Sequence, residues 1–302
     1  MWVSNFRSYM IQELVNFCDA SFAPNTEGFP CHNDPVTSCP DCLKDIHFNK
    51  VSGRKYDCVN MCHWYVCQNI YRYASEMVWQ LHDKELGLRS RKSALNICSI
   101  GCGPCSELIA IEEYRKKQRL TFDYTYTGFD FNDVWNPIQR KVTLLSAMPD
   151  SIKFVNRDIF DYYEDTGDNP DMIILNYVLS DMLKSDLGTF SSFIDNLCKF
   201  VSGLPSCAVL INDINRGVDK TDPRGYYSKI YQKIRQSCGM NNVEAKCYHF
   251  ADSMKNYYAY GGQRARNAIL FEVPDNILSK YKTNAECHSA QITIVKKKEQ
   301  TR

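Results

Sequence analysis

Between Leu95 and Ile111 three kinds of sequence follow one another without a gap. Leu95-Asn96-Ile97-Cys98-Ser99-Ile100 is an apolar run with strand composition. Gly101-Cys102-Gly103 is a tight glycine turn, and Ser106-Glu107-Leu108-Ile109-Ala110-Ile111 reads as the start of a helix. A strand, a glycine turn and a helix N-terminus in that order hold a nucleotide-like ligand against backbone N–H groups. The glycines let the chain turn sharply and approach the ligand where a Cβ atom would intrude.

Three downstream segments extend the pattern. Thr125 to Phe131 reads as a second strand ending in Asp130, a carboxylate placed to accept two ribose hydroxyls. Ile152 to Phe160 is a short strand followed by Asp158-Ile159, where an acid can take an exocyclic amine and an aliphatic side chain can lie on the base. Asp171 to Leu183 is a buried parallel-type strand and a loop entering a helix. In order and spacing these four segments resemble the class I S-adenosylmethionine-dependent methyltransferases over roughly residues 93 to 215.

The resemblance implies an α/β fold, a Rossmann-like, mostly parallel seven-stranded sheet with helices on both faces. It implies S-adenosylmethionine as cofactor. Ile100, Gly101, Cys102, Gly103 and Pro104 would run under its methionine part, Asp130 and Phe131 would meet the ribose, and Asp158 and Ile159 would bracket the adenine. Asn176 would face both cofactor and acceptor. Two positions depart from the family pattern: Ser99 stands where an acid is usual, and Pro104-Cys105 replaces the usual third glycine. Both leave open a relative that binds the cofactor without turnover. A nicotinamide-dinucleotide domain lacks support, because the last glycine of its Gly-x-Gly-x-x-Gly fingerprint is Ser106 here.

The methyl acceptor is expected at the loop after the fourth strand, with Asn176, Tyr177 and Asp181 as catalytic candidates. Asn176 can orient an acceptor and Asp181 can take a proton. Amine-modifying nucleic-acid enzymes of this kind often carry Asn/Asp-Pro-Pro-aromatic there, and Asn176-Tyr177-Val178-Leu179 lacks the prolines. Tyr257 to Arg266 interleaves tyrosines, glycines and arginines, and Arg216, Lys220, Arg224 and Lys229 precede it. Aromatics stack on bases while arginines hold phosphates, so RNA or another macromolecule is the expected acceptor. The alternative is a lid over a small molecule.

Fifteen cysteines are many for a chain of 302 residues, and seven of them fall between Cys18 and Cys67. Cys39-Pro40-Asp41-Cys42 is a Cys-x2-Cys knuckle, and Cys58 and Cys62 share one face of the helix that follows. Four thiolates can close a tetrahedral structural zinc site. An iron–sulfur cluster uses the same ligand set. Cys31, His32, His47, His63 and Cys67 compete as ligands, whereas Cys98, Cys198, Cys207 and Cys247 sit in apolar contexts as small core residues.

These readings divide the chain into a helical, cysteine-rich module over 1–92 and a methyltransferase domain over 93–302, with an insert at about 214–267. Helices are expected over residues 5–19 with Asn5 as cap, 59–86 with Gly87 as terminator, 190–200 and 226–237. Strands are expected over 244–250, 268–273 and 291–296. The formal net charge of +1 excludes a molecule that attracts nucleic acid by its overall field. No apolar run is long enough to cross a bilayer, and residues 1–19 are amphipathic, so a cytoplasmic location without membrane contact is expected.

Overall fold

The computed structural model describes residues 6–23, 38–48, 56–91, 93–215, 225–250 and 261–298. Three helices come first: α1 (Tyr9–Ser21), α2 (Cys39–Phe48) and α3 (Val59–Leu81). An alternating region follows: β1 (Leu95–Ile100), α4 (Ser106–Gln118), β2 (Tyr124–Phe129), α5 (Asn136–Leu145), β3 (Ile152–Val155), α6 (Ile159–Thr166) and β4 (Met172–Asn176). Then come α7 (Leu179–Ser185), α8 (Leu187–Gly203), β5 (Cys207–Asp213) and α9 (Gly225–Cys238). The chain ends with β6 (Val243–His249), β7 (Gly262–Gln263), α10 (Asp275–Tyr281) and β8 (Ala290–Lys296).

The strands form one sheet in the order β3-β2-β1-β4-β5-β8-β6-β7. The first five are mutually parallel, and β8 enters antiparallel between β5 and β6. This is a Rossmann-like mixed sheet of eight strands, one more than expected, the addition being the two-residue β7 paired with the end of β6. Chain order reverses between β1 and β4, and such a switch point opens a crevice at the carboxyl ends of the strands.

Side chains alternate across the sheet because successive Cβ atoms of a strand point to opposite faces. Ile97, Met172, Ile174 and Leu210 join one apolar cluster with residues of α1, α3, α4 and α5. Cys98, Ile100, Ile173, Leu175, Val209 and Ile211 join a second cluster with residues of α6, α8 and α9. Burial on both faces is why β1, β4 and β5 read as nearly continuous apolar runs.

The position expected to divide two domains, residue 92, separates segments that share a core. Val66, Ile70, Ala74, Met77 and Val78 of α3 sit in the same cluster as Ile97, Leu108 and Ile109. Gln80 of α3 donates from Nε2 to the carbonyls of Ile292 (2.9 Å) and Ile211 (3.3 Å) in the sheet. Within 214–267, α9 belongs to the second layer and β6 pairs along its length with β8.

Several boundaries move for physical reasons. α1 is capped by Ser8, whose Oγ accepts from Ile11 N at 3.1 Å, because Phe6 is instead bridged to Phe271. α3 stops at Leu81, and Gly87, at φ +60°, closes a separate 3-10 turn at Lys84–Leu86. Ala268 to Val273 forms isolated bridges rather than a strand: Phe6↔Phe271 and Ala268↔Glu286. Among the described residues, no helix is long and apolar enough to cross a membrane.

Candidate functional site

The glycine turn sits at the carboxyl end of β1, directly at the switch point. Gly101 and Gly103 both adopt positive φ (+61° and +44°), where a side chain is strained. A Cβ on Gly101 would lie 2.5 Å from Val178 Cγ2, so the turn and the β4–α7 loop are in contact. Cys105 also has positive φ, +59°, and is the N-cap of α4.

Asp130, at the tip of β2, folds back onto this turn. Its Oδ2 accepts from Gly103 N at 2.8 Å and its Oδ1 from Asn132 N at 2.9 Å. Burial raises its pKa from the ordinary value, and the two N–H groups oppose that rise. Behind the turn, Glu107 on α4 is buried and accepts from Ser99 Oγ and from Tyr126 Oη, both at 2.6 Å. Burial lifts its pKa and these hydroxyls lower it again. Ser99, where an acid was the expected residue, is thus the partner of an acid supplied by the next helix.

Gly101, Cys102, Gly103, Pro104, Asp130, Asn176, Tyr177 and Asp181 line one cavity of about 320 Å³. Those are the expected residues that the fold brings together. Four others lie outside its lining. Ile100 and Ile159 are buried in the second apolar cluster. Phe131 is 71% exposed. Asp158 caps α6, its Oδ1 accepting from Phe160 N at 2.8 Å and Asp161 N at 3.3 Å, and it borders a different depression.

Asn176 ends β4 with both polar atoms partnered. Its Nδ2 donates to Ser106 Oγ and its Oδ1 accepts from Asn212 Nδ2, each at 2.8 Å. Tyr177 has φ +58°, and its ring stacks on Tyr73 at 4.0 Å between centroids. Such a conformation costs of order 1–3 kcal/mol, and functional sites are where it concentrates. Burial holds the Tyr56, Tyr65 and Tyr177 phenols above their ordinary pKa, so each stays neutral at pH 7. Asp181 accepts from Lys184 Nζ at 2.8 Å and from Tyr56 Oη at 3.5 Å.

Sequence reasoning missed Tyr56, Tyr65, Tyr73, Asn132 and Trp135 in this lining. One signal was present for the α3 tyrosines. Tyr65, Asn69, Arg72, Tyr73, Glu76 and Gln80 fall at helical spacing and put a polar stripe on an otherwise apolar helix.

The four expected metal ligands lie in the first turns of α2 and α3, with Cys58 as the α3 N-cap. Cys39 and Cys42 occupy the first turn of α2 instead of a loop knuckle, and both are buried. Cys62 is fully buried in the first apolar cluster, with Cys58 packed against it. Burial raises the Cys62 pKa, and Cys58 and Cys39 add to the rise. Even so, among the described residues no three or more His, Cys, Asp or Glu are arranged to hold a metal ion, zinc or iron–sulfur. Cys31 and His32 lie outside the described residues.

Of the segment expected to hold RNA, Tyr257 to Tyr260 lies outside the described residues, as do Arg216, Lys220 and Arg224. Arg264 is committed inward. It donates to Gln291 Oε1 at 2.8 Å, lies 3.5 Å from Asp83 Oδ1 and stacks 3.8 Å over the Tyr248 ring. Arg266 is exposed.

No family model matches the chain, and no curated protein matches it. Among solved structures it is similar to the precorrin-6y C5,15-methyltransferase of Geobacter metallireducens, at 14% identity over 72% of this chain and 87% of that one, TM-score 0.42. It is similar to an O-methyltransferase of Bacillus cereus in complex with SAH, at 12% identity over 97% and 92%, TM-score 0.44. A SAM-dependent methyltransferase of Agrobacterium tumefaciens is similar at 10% identity over 74% and 62%, TM-score 0.41.

Proposed function

We propose that this chain is an S-adenosylmethionine-dependent methyltransferase whose acceptor is a small molecule. The observation that carries the reading is the cavity at the switch point. Two positive-φ glycines, the Asp130 carboxylate and the Asn176-Tyr177 turn converge there from three different strand ends. The residues fit the cofactor. Gly101 and Gly103 line the cavity with bare backbone, the α4 N-terminus suits an anionic carboxylate, and Asp130 suits ribose hydroxyls. When bound, S-adenosylmethionine supplies an electrophilic methyl group, and the electrons of the breaking S–C bond stay on sulfur.

The chain's own task is alignment and exclusion of water. Trp135, Tyr65 and Tyr73 wall the cavity with rings, while Asp181 stands in the lining as the group that takes the acceptor's proton. A small acceptor is favoured over RNA by α3, which roofs the site with tyrosines, and by the inward engagement of Arg264.

The test is calorimetric titration with S-adenosylhomocysteine, then methyl-labelled cofactor added to a cell extract split into RNA, protein and small molecules. Binding by the wild type, weakened about tenfold or more in Asp130→Ala, is expected. So is label in the small-molecule fraction. No binding of either cofactor form would overturn the reading, and label confined to RNA would overturn the acceptor class.

A further inference from the structure

A second cavity, of about 280 Å³, opens beside the first and shares Tyr65, Tyr73, Tyr177 and Asp181 with it. Two cations, Arg72 and Lys184, face it against a single carboxylate, Asp181. We propose that this cavity is the acceptor site and that it takes a small molecule bearing a carboxylate, held by Arg72 with Lys184 beside it. The proposal rests on the methyl-transfer reading and adds the chemical class of the substrate.

The argument starts from the guanidinium. Arg72 lies 4.7 Å over the Tyr73 ring and 5.6 Å from that of Tyr177. Its Nη2 donates to Asn69 Oδ1 at a long 3.3 Å, and its buried Nε has no partner. Among the described residues no carboxylate reaches ion-pair distance of it. The closest acid electrostatically is Glu76, whose oxygens already accept from His288 N (2.8 Å), Ser289 N (3.3 Å) and Asn212 Nδ2 (3.1 Å). A half-buried cation without a counter-ion is costly, and it is tolerated where a ligand brings the anion.

The rest of the lining prepares that fork. Asn69 Oδ1 also accepts from Asn284 Nδ2 at 2.8 Å, so the amide that positions Arg72 is itself fixed. The mutually stacked Tyr73 and Tyr177 rings flank the guanidinium, which lines the cavity as a donor for a planar, two-oxygen anion. Lys184 is tied to Asp181 at 2.8 Å, which keeps that carboxylate on the wall common to both cavities. An acceptor anchored by its carboxylate at Arg72 would present its other end past Tyr177 toward the glycine turn. There Asp181 can take the proton that the acceptor atom loses as it gains the methyl group. The strained Tyr177 backbone forms the partition between the two ends.

The experiment uses the full chain saturated with S-adenosylhomocysteine, titrated with benzoate and 4-hydroxybenzoate and with the matching amides. The carboxylates are expected to bind about tenfold or more tightly than the amides, and Arg72→Gln to abolish that preference. Lys184→Gln should reduce it by a smaller factor and supplies the readout if Arg72→Gln fails to fold. Cofactor-product affinity should be unchanged in both. Equal binding of acids and amides, binding of neither, or a preference that survives both substitutions would overturn the proposal. Absence of S-adenosylhomocysteine binding by the wild type would instead overturn the methyl-transfer reading beneath it. Salt-dependent binding of a single-stranded RNA 20-mer without carboxylate preference would point to the other acceptor class.

Discussion

Gly101 and Asp213 show how single positions set the geometry at the strand tips. Gly101→Ala places a Cβ 2.5 Å from Val178 Cγ2 at φ +61°, so both backbone and neighbour resist it. A loss of about 1–3 kcal/mol is expected from the backbone alone, read by urea denaturation. Asp213 closes β5 and accepts from Ser180 N at 2.9 Å and from Ile214 N. Burial raises its pKa from 3.8 to about 6. For an acid raised in the folded state, the stabilising contribution is full below pH 3.8 and is lost as pH rises through about 6. The stability of the wild type relative to Asp213→Asn should therefore fall by about 2 kcal/mol between pH 4 and pH 7. A constant difference across that range would show that Asp213 ionises as freely as in the unfolded chain.

At the scale of elements, α3 is the piece whose role the sequence least announced. Most of its residues are buried, and its polar stripe reaches the sheet and the final strand. Glu76 alone receives two backbone N–H groups and Asn212 Nδ2. Glu76→Ala removes the acceptor of two backbone N–H groups and one of the two acceptors of Asn212 Nδ2, and should cost about 2 kcal/mol or more, measured by thermal and urea unfolding. The same helix carries Tyr65 and Tyr73 to the cavity and Arg72 to its neighbour. β8 is the other such element. It was legible as a strand from its alternation, but its antiparallel place between β5 and β6 depends on pairing partners that are distant in sequence.

Across the whole molecule, one face of the sheet is covered by helices from both sides of residue 92. A fragment spanning residues 93–302 would keep α4 and α5 on the face that carries Ile97, Ile174 and Leu210 but uncover the part packed against α1 and α3. It is expected to lack cooperative unfolding, as near-ultraviolet circular dichroism on heating would reveal. A fragment that melts cooperatively would show that the N-terminal helices are an attachment rather than a layer. The sequence by itself determined the strand–turn–helix at Leu95–Ile111, the acid that follows β2, the buried strand β4 and the Asn176-Tyr177 turn after it. Each of those is written in local periodicity and turn chemistry over a few residues. Only the tertiary structure decided that α3 roofs the site, that Arg264 turns inward, and that Asp158 caps a helix outside the cavity. It also decided that Cys39 and Cys42 begin a helix. These outcomes depend on contacts between segments far apart in the chain. A local pattern such as Cys-x2-Cys or aspartate before an apolar residue is compatible with more than one set of such neighbours, and packing selects among them.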